Sequence, residues 1–243
     1  MPTPVTLLHA SDVHLGSGPS AREEAFFAGL VQLARQLSVD ALLVAGDLFD
    51  HARVPDATLA YAAEQFALAG CPVVVLPGNH DLYHDASVYR RFDFAAACPD
   101  LQVLTDHDGE LVEVPGTDLV VWGRAMLDHS PDFRPLGGVP AAPPAHDRWC
   151  VIAGHGLVMD DDTDTTRGSP IYPRDLDAVG DGWHYVALGH LGRHHVVREG
   201  PVPVCYAGPA APQRGGAPGA TLVTFDADTG VVPQFVAVPM AEG

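Results

Sequence analysis

The chain has 243 residues, of which 47% are hydrophobic, so it can bury a substantial core. Its 13 basic residues, all arginine, face 31 acidic ones, and the net charge of -18 excludes a broad basic surface for unaided binding of duplex DNA. We find no apolar stretch long enough to span a membrane and no basic segment typical of a signal peptide at the N-terminus. Four scattered cysteines without metal-type spacing predict buried free thiols, which fits a reducing cytoplasm.

The first third of the chain alternates predicted strands and helices. Buried apolar runs predict strands at Val5–Ala10, Ala41–Ala45 and Pro72–Leu76, and apolar residues at helical spacing predict helices over 21–37 and 56–69. The repeat of about thirty residues is the size of a βαβ unit. We therefore expect three parallel strands whose carboxyl ends meet at one edge of a sheet.

The pattern changes after residue 81. Residues 85–97 are predicted to be helical, and short strands at 101–104, 110–114 and 118–123 are interpreted as antiparallel hairpins. A surface loop rich in proline and glycine is predicted over 127–144. Further strands are predicted at 149–153, 183–188, 202–205, 221–225 and 231–238. We expect one domain over residues 1–243, without a separate cap.

Polar side chains that can bind a metal or transfer a proton follow five of the predicted strands, usually beside glycine. They are Asp12 and His14; Asp47; Asn79, His80 and Asp81; His155; and His190. In extended backbone Asp12 and His14 would point the same way. Mixed carboxylate, imidazole and amide ligands suit Mn, Fe, Zn or Mg rather than a thiolate zinc site. Asp47 is the natural bridge between two ions, which together could clamp a phosphate and activate water.

The order of these motifs resembles that of the calcineurin-like metallophosphoesterases. Asp-x-His, Gly-Asp, Gly-Asn-His-Asp and two later Gly-His pairs follow one another between Val5 and about His195. The segments 44–50 and 185–191 are similar to those of SbcD-type nuclease subunits of DNA repair complexes. The resemblance implies an α/β fold, a four-layer α-β-β-α sandwich of two mixed sheets, with the metal site at one rim.

The resemblance also implies a role for each of these residues. One divalent ion, which we expect to be manganese, would bind Asp12, His14 and Asp47. The second would bind Asp47, Asn79, His155 and His190. His80 would contact the phosphoryl oxygens or protonate the leaving oxygen, and Asp81 would orient it.

Two features depart from the family pattern. The family normally has a second histidine two places after His190, and this chain has Gly192 there. Either His194 or a water molecule could complete the first metal site, and we expect water and a weaker site. In addition, SbcD-type subunits carry a DNA-binding cap and a segment that docks an SMC-like ATPase, whereas this chain ends soon after the catalytic motifs.

The function expected from these observations is metal-dependent hydrolysis of phosphodiester bonds, in the manner of DNA repair exonucleases. The substrate would be nucleic acid or nucleotide, with an SMC-like ATPase as a candidate partner and no membrane. A small-molecule phosphatase or cyclic-nucleotide phosphodiesterase is the alternative enzyme, and a scaffold of the same fold without activity is the non-enzymatic one. Residues 127–144 and 160–173 are expected to border the substrate.

Overall fold

Two six-stranded mixed sheets face each other in the computed structural model of this chain, which describes residues 1–18, 21–143, 147–160, 168–210 and 217–240. In chain order the strands are β1 (Val5–Ala10), β2 (Ala41–Ala45), β3 (Val73–Leu76), β4 (Leu101–Val103), β5 (Glu110–Glu113), β6 (Leu119–Gly123), β7 (Trp149–His155), β8 (Leu157–Val158), β9 (Pro170–Ile171), β10 (Tyr185–Gly189), β11 (His195–Arg198), β12 (Val204–Tyr206), β13 (Gly219–Asp226) and β14 (Gly230–Ala237). The helices are α1 (Ala21–Leu37), α2 (Asp56–Ala67), α3 (Val88–Arg91), α4 (Phe94–Ala97) and α5 (Pro173–Asp177). In this described part of the chain, every helix is too short or too polar to cross a lipid bilayer.

Parallel strands bring the functional segments to one rim. The first sheet has the order β14-β13-β1-β2-β3-β4, and β1, β2 and β3 run parallel as the sequence predicts. The second sheet has the order β11-β12-β10-β7-β6-β5, with β7 parallel to both β6 and β10. The loops that leave β1, β2, β3, β7 and β10 therefore meet at the carboxyl edge of the sandwich.

Three apolar layers hold the sandwich together. Leu30 and Phe66 pack α1 and α2 on the outer face of the first sheet, because their apolar stripes face it. Leu43 of β2 and Val151 of β7 belong to the core between the sheets. The outer face of the second sheet is covered by loop residues such as Leu136 together with the short α5, so much of the fourth layer is loop.

Two local predictions are wrong. The helix expected over 85–97 is divided into α3 and α4, because Ser87 accepts a hydrogen bond from Tyr89 and Asp93 accepts one from Ala96, so each starts a new helix. The strand β4 pairs in parallel with β3 rather than in a hairpin, and only β5 and β6 of this region are antiparallel. The four cysteines are free, as predicted, and all except Cys71 are buried.

Candidate metal centre

The backbone is left-handed at four of the predicted ligands. The φ angles are 55° at Asp12, 58° at His14, 57° at Asp47 and 94° at His190, so the extended backbone predicted for Asp12 and His14 is wrong. Such angles are uncommon for residues other than glycine and persist only where the surroundings fix them. Here the N–H of Asp12 donates to Gly46 O at 3.1 Å, and that of His14 to Asp47 O at 3.0 Å. The ends of β1 and β2 are thereby joined.

Asp47 lies at the centre of the site, and its side chain is buried. Its Oδ1 accepts a hydrogen bond of 2.9 Å from the N–H of His80. Its Oδ2 lies 3.2 Å from His155 Nε2 and 3.9 Å from His14 Nε2. One carboxylate oxygen therefore faces an imidazole from each of two ligand groups, as expected of a bridging ligand.

The hydrogen bonds of His155 direct its second ring nitrogen at two oxygen atoms. Its Nδ1 lies 2.8 Å from the backbone oxygen of Ala45, and a carbonyl only accepts, so Nδ1 carries the hydrogen. The other nitrogen of the neutral ring is then a lone pair, yet Nε2 faces Asp47 Oδ2 at 3.2 Å and Asn79 Oδ1 at 3.0 Å. Three electron-rich atoms converge, and only a proton or a metal ion placed among them makes the arrangement favourable.

The pKa shifts of Asp47 and His155 agree with a positive charge between the two side chains. Burial acts to raise the pKa of Asp47, but the charge of His155 and its hydrogen bond lower it overall. Burial acts to lower the pKa of His155, and Asp47 raises it above the ordinary value. In the absence of a metal ion, a proton on His155 therefore pairs with the carboxylate of Asp47.

His190 completes this group. Its Nδ1 lies 2.8 Å from Asn79 Oδ1, and its ring centroid is 5.2 Å from that of His155. Burial, followed by the nearby charge of His155, lowers the pKa of His190 to about 4, so the ring is neutral and can donate a lone pair. Asp47, His155 and His190 place their ligand atoms within 4.8 Å of one another, as a shared metal ion requires.

A second group contains Asp12, His14 and Asp47, again with ligand atoms within 4.8 Å of one another. Ser11 Oγ donates to Asp12 Oδ2 at 2.5 Å, and the N–H of His190 donates to the same oxygen at 3.0 Å. With Oδ2 held in this way, the Oδ1 of Asp12 is available to bind a metal ion. Burial raises the pKa of the Asp12 carboxyl, so a nearby cation would favour its charged form.

His80 is oriented by Asp50, and the predicted orientation by Asp81 is wrong. The Nδ1 of His80 donates to the backbone oxygen of Asp50 at 2.8 Å and lies 3.6 Å from Asp50 Oδ1. Asp50 Oδ1 is also 3.2 Å from His14 Nδ1, although the angle does not suit a hydrogen bond. The side chain of His80 is 43% exposed, so its Nε2 is accessible from the rim.

Asp81 instead holds the turn that carries the ligands. Its carboxylate accepts hydrogen bonds from Gly78 N at 2.7 Å, Phe49 N at 3.1 Å and Tyr89 Oη at 2.6 Å. The residue is fully buried, and this burial raises its pKa. Asp81 thus fixes the β2 and β3 loops relative to each other.

The side chain of His194 contacts residues other than Asp12, His14 and Asp47. Its Nδ1 lies 3.1 Å from Thr221 Oγ1, and its ring lies 5.2 Å from that of Phe235. It belongs to none of the candidate metal-binding groups formed by the residues that the structure describes. The expectation that water, rather than His194, completes the site beside Gly192 stays a prediction.

Three residues near the site were not singled out from the sequence. Asp50 could have been found, because it stands three places after Asp47 in the same motif. Ser11 could also have been found, because it directly precedes Asp12. No sequence pattern marked His129 as a site residue, because it lies in a long loop. Its ring centroid is nevertheless 5.9 Å from that of His190.

Comparison with known proteins agrees with this geometry. The sequence model of the calcineurin-like phosphoesterases matches residues 5–191. The chain belongs to the calcineurin-like phosphoesterase family. Members of this family generally hold two divalent metal ions, and the two groups that share Asp47 fit that requirement. The chain is therefore a hydrolase of the metallophosphoesterase class.

Curated relatives in this phosphoesterase family include DNA repair proteins. A DNA double-strand break repair protein Mre11 from Methanopyrus kandleri is 39% identical over 31% of this chain, and the SbcD component of the SbcCD nuclease from Escherichia coli is 41% identical over 31%. These matches cover 19% and 21% of the relatives, so the chain matches about a fifth of their length.

Solved structures share the phosphoesterase fold along nearly the whole chain. A Thermus thermophilus protein has a TM-score of 0.66 at 15% identity and covers 98% of this chain and 100% of its own. A structure described as a novel archaeal phosphodiesterase has a TM-score of 0.53 at 12% identity. The match covers 96% of this chain and 99% of that structure's chain. At such identities the likeness concerns the fold alone.

Proposed function

We propose that this chain hydrolyses phosphodiester bonds at a two-metal site, in the manner of a nuclease, within one catalytic domain over residues 1–243. Asp12, His14 and Asp47 would hold one ion, and Asp47, Asn79, His155 and His190 the other. Manganese is the ion we expect, since mixed oxygen and imidazole ligands suit it. When bound, the ions would polarise the phosphoryl oxygens and lower the pKa of an attacking water.

The observation that carries this proposal is that imidazole nitrogens from both candidate metal-binding groups face the carboxylate of Asp47. Its Oδ2 faces His155 Nε2 at 3.2 Å and His14 Nε2 at 3.9 Å, with Asn79 Oδ1 beside His155. The Nδ1 hydrogen of His155 is already committed to Ala45. A proton on His155 Nε2 satisfies these atoms when no metal ion is bound, and a divalent cation would take the same place.

The residues of the chain would then act on the phosphate as follows. The attacking water releases one proton to solvent as its oxygen bonds to phosphorus, and the P–O bond to the leaving group breaks. His80 holds its Nδ1 hydrogen on Asp50 O, so its exposed Nε2 is the atom directed to substrate. In its charged form the ring donates the Nε2 proton to the leaving oxygen, which departs as an alcohol.

Two substrates for this chemistry remain distinct proposals. The Mre11 and SbcCD relatives support nucleic acid as the substrate, and the resemblance to SbcD-type subunits suggests an SMC-like ATPase as a partner. The net charge of -18 supports a nucleotide or another small phosphodiester, because duplex DNA binding depends on basic side chains. Rates on a single-stranded oligonucleotide, a cyclic nucleotide and a phosphate monoester separate these substrates.

The decisive experiment measures hydrolysis of bis(para-nitrophenyl) phosphate by the full chain with added Mn²⁺. We expect Asp47→Asn and His80→Asn to lower kcat by at least about a hundredfold, since each removes a group used at the reacting phosphate. The matched control is Asp177→Asn, which alters an exposed carboxylate paired with Arg198. Unchanged activity in Asp47→Asn, or inactive wild-type protein at saturating Mn²⁺, would refute the proposal and favour a scaffold role.

A further inference from the structure

An open cavity of about 470 Å³ lies beside the metal centre, and the metal-binding residues do not line it. Its walls are formed by residues on two adjoining loops: His107, Arg124, Leu127, Asp128, Ser130, Asp132 and Phe133. The volume is within the range of about 300–1,000 Å³ that small-molecule sites occupy. The cavity is therefore large enough to hold one organic group of a substrate.

Two backbone hydrogen bonds hold the loop that forms this cavity. The N–H of Tyr83, which follows the ligand turn after β3, donates to Met126 O at 2.8 Å. The N–H of Ser169 donates to Ser130 O at 3.0 Å. His129 lies between Met126 and Ser130 in the chain, and its ring centroid is 5.9 Å from that of His190.

His129 separates the cavity from the metal centre by a single residue. Its neighbours on both sides, Asp128 and Ser130, line the cavity, while its own ring faces the ligand His190. Neighbouring Cα atoms are about 3.8 Å apart, so the cavity opens within a few ångströms of His129. A substrate whose phosphate rests on the metal centre could thus extend its ester group into the cavity.

The lining excludes a second phosphate and suits an uncharged planar group. The carboxylates of Asp128 and Asp132 repel anions, and Arg124 is anchored to the backbone oxygens of His107, Arg134 and Gly137 at 2.9–3.0 Å. The guanidinium lies 5.2 Å from the ring centroid of Phe133 and supports that ring. The lining thus combines aromatic and aliphatic surface with carboxylate oxygens that accept N–H donors.

We propose that this cavity is a nucleobase subsite, which selects esters carrying an amino-bearing base such as adenine. The base would lie against Phe133 and Leu127, and its exocyclic amino group would donate to Asp128 or Asp132. The inference rests on the proposed phosphodiester hydrolysis, and it assigns the substrate class as a nucleoside phosphodiester rather than a simple alkyl or aryl one.

The test compares two esters with the same leaving group on the full chain with Mn²⁺. One is the adenosine para-nitrophenyl phosphodiester, and the other is methyl para-nitrophenyl phosphate. We expect the wild type to prefer the adenosine ester, and Leu127→Trp, which fills the cavity, to lower the ratio of the two kcat/KM values about tenfold, mainly through the KM of the adenosine ester. Asp132→Asn, which leaves the loop volume unchanged, should lower the ratio in the same direction.

The control variant is Leu68→Trp, which adds the same side chain at an exposed site after α2, near the opposite edge of the first sheet. It should leave the ratio unchanged. An unchanged ratio in both Leu127→Trp and Asp132→Asn, or a wild type without preference, would overturn the subsite.

A second readout separates the subsite from the hydrolytic function. Adenosine, which has no phosphate, should give saturation-transfer NMR signals with the metal-free wild type and with Leu68→Trp, and weaker signals with Leu127→Trp. If neither ester is hydrolysed but adenosine binds in this pattern, the proposed hydrolysis fails and the subsite stands. If the methyl ester is hydrolysed but adenosine does not bind, the subsite is wrong and the hydrolysis stands.

Discussion

Asp50 holds His80 from two directions. The His80 Nδ1 lies 2.8 Å from the backbone oxygen of Asp50 and 3.6 Å from its Oδ1. The backbone contact fixes the tautomer and the direction of the ring, and the carboxylate lies beside the same nitrogen. Asp50 is therefore a positioning residue for His80 as well as a neighbour of His14.

The first prediction follows from the Asp50 carboxylate. We expect Asp50→Asn to lower kcat about tenfold while KM and metal content change little, because the side chain beside His80 Nδ1 changes while the backbone contact that holds the ring remains. Steady-state kinetics and metal analysis on the same preparation check this. Asp177→Asn is the control, and a kcat equal to that of the wild type in Asp50→Asn would contradict the assigned role.

The second prediction concerns metal removal. Since Asp12 and Asp47 are buried close together, a divalent cation should stabilise the folded chain, by about 2.7 kcal/mol at a hundredfold excess over Kd. Thermal unfolding with Mn²⁺ and with a chelator measures this stabilisation. Asp47→Asn should lose most of it, whereas Asp147→Asn, at an exposed site, should keep it. An equal Mn²⁺ effect in Asp47→Asn would argue against the site.

The third prediction concerns Gly192, which stands where the family normally has a metal-binding histidine. Gly192 is not among the glycines with a left-handed φ, so a histidine there would meet no strain of that kind. We expect Gly192→His to raise the Mn²⁺ affinity of the weaker site about tenfold, or about 1.4 kcal/mol. Titration calorimetry on metal-free protein measures the affinity, with Gly180→His as the control. Equal occupancy in the wild type and Gly192→His would show that Gly192 does not weaken the site.

The fourth prediction concerns the close contact between β10 and β2. A Cβ atom at Gly189 would lie 1.9 Å from Ala45 O and 2.7 Å from His155 Nδ1, so the strands approach closely only because Gly189 lacks one. Gly189→Ala should cost about 1–3 kcal/mol in the free energy of unfolding and weaken metal binding, because Ala45 O orients His155. Gly180→Ala meets no atom within 4 Å and is the control in chemical denaturation. Equal stability of the two variants would refute this argument.

The fifth prediction concerns pH. His9 is fully buried, and burial, together with nearby His194, lowers its pKa to about 3. Between that value and 6.5 the unfolded chain binds a proton that the folded chain does not, so stability is lost as the pH falls. From pH 7.5 to about 5.5, this residue should cost about 1.4 kcal/mol.

The matched variant for this prediction is His9→Asn, which keeps an acceptor near the position of Nδ1 and does not titrate. The pH range stays above the isoelectric point of about 4.8, which limits precipitation. Urea unfolding of both proteins at each pH gives the comparison. The wild type should lose about 1.4 kcal/mol more than His9→Asn, and parallel losses would show that His9 is not the source.

The predicted ligands were found from the sequence because chain order and strand geometry restrict where such residues can go. An apolar run predicts a buried strand, and parallel strands present the residues that follow them at one edge, so Asp47 and Asn79 were expected near one another. His155 follows β7 of the second sheet, and only the family resemblance grouped it with them. The same reasoning gave α1 and the first three strands nearly to the residue, because their apolar spacing is regular.

The contacts between loops were decided only in the tertiary structure. The sequence places Asp81 next to His80, but adjacency does not say which way a carboxylate turns, and Gly78, Phe49 and Tyr89 offer it buried donors. The left-handed φ at Asp12 and His14 likewise depends on bonds to the end of β2. By itself, the sequence determined which residue types reach the rim. Which atoms face one another there, and that His129 and a cavity lie beside them, follows from packing between distant segments, which no local pattern records.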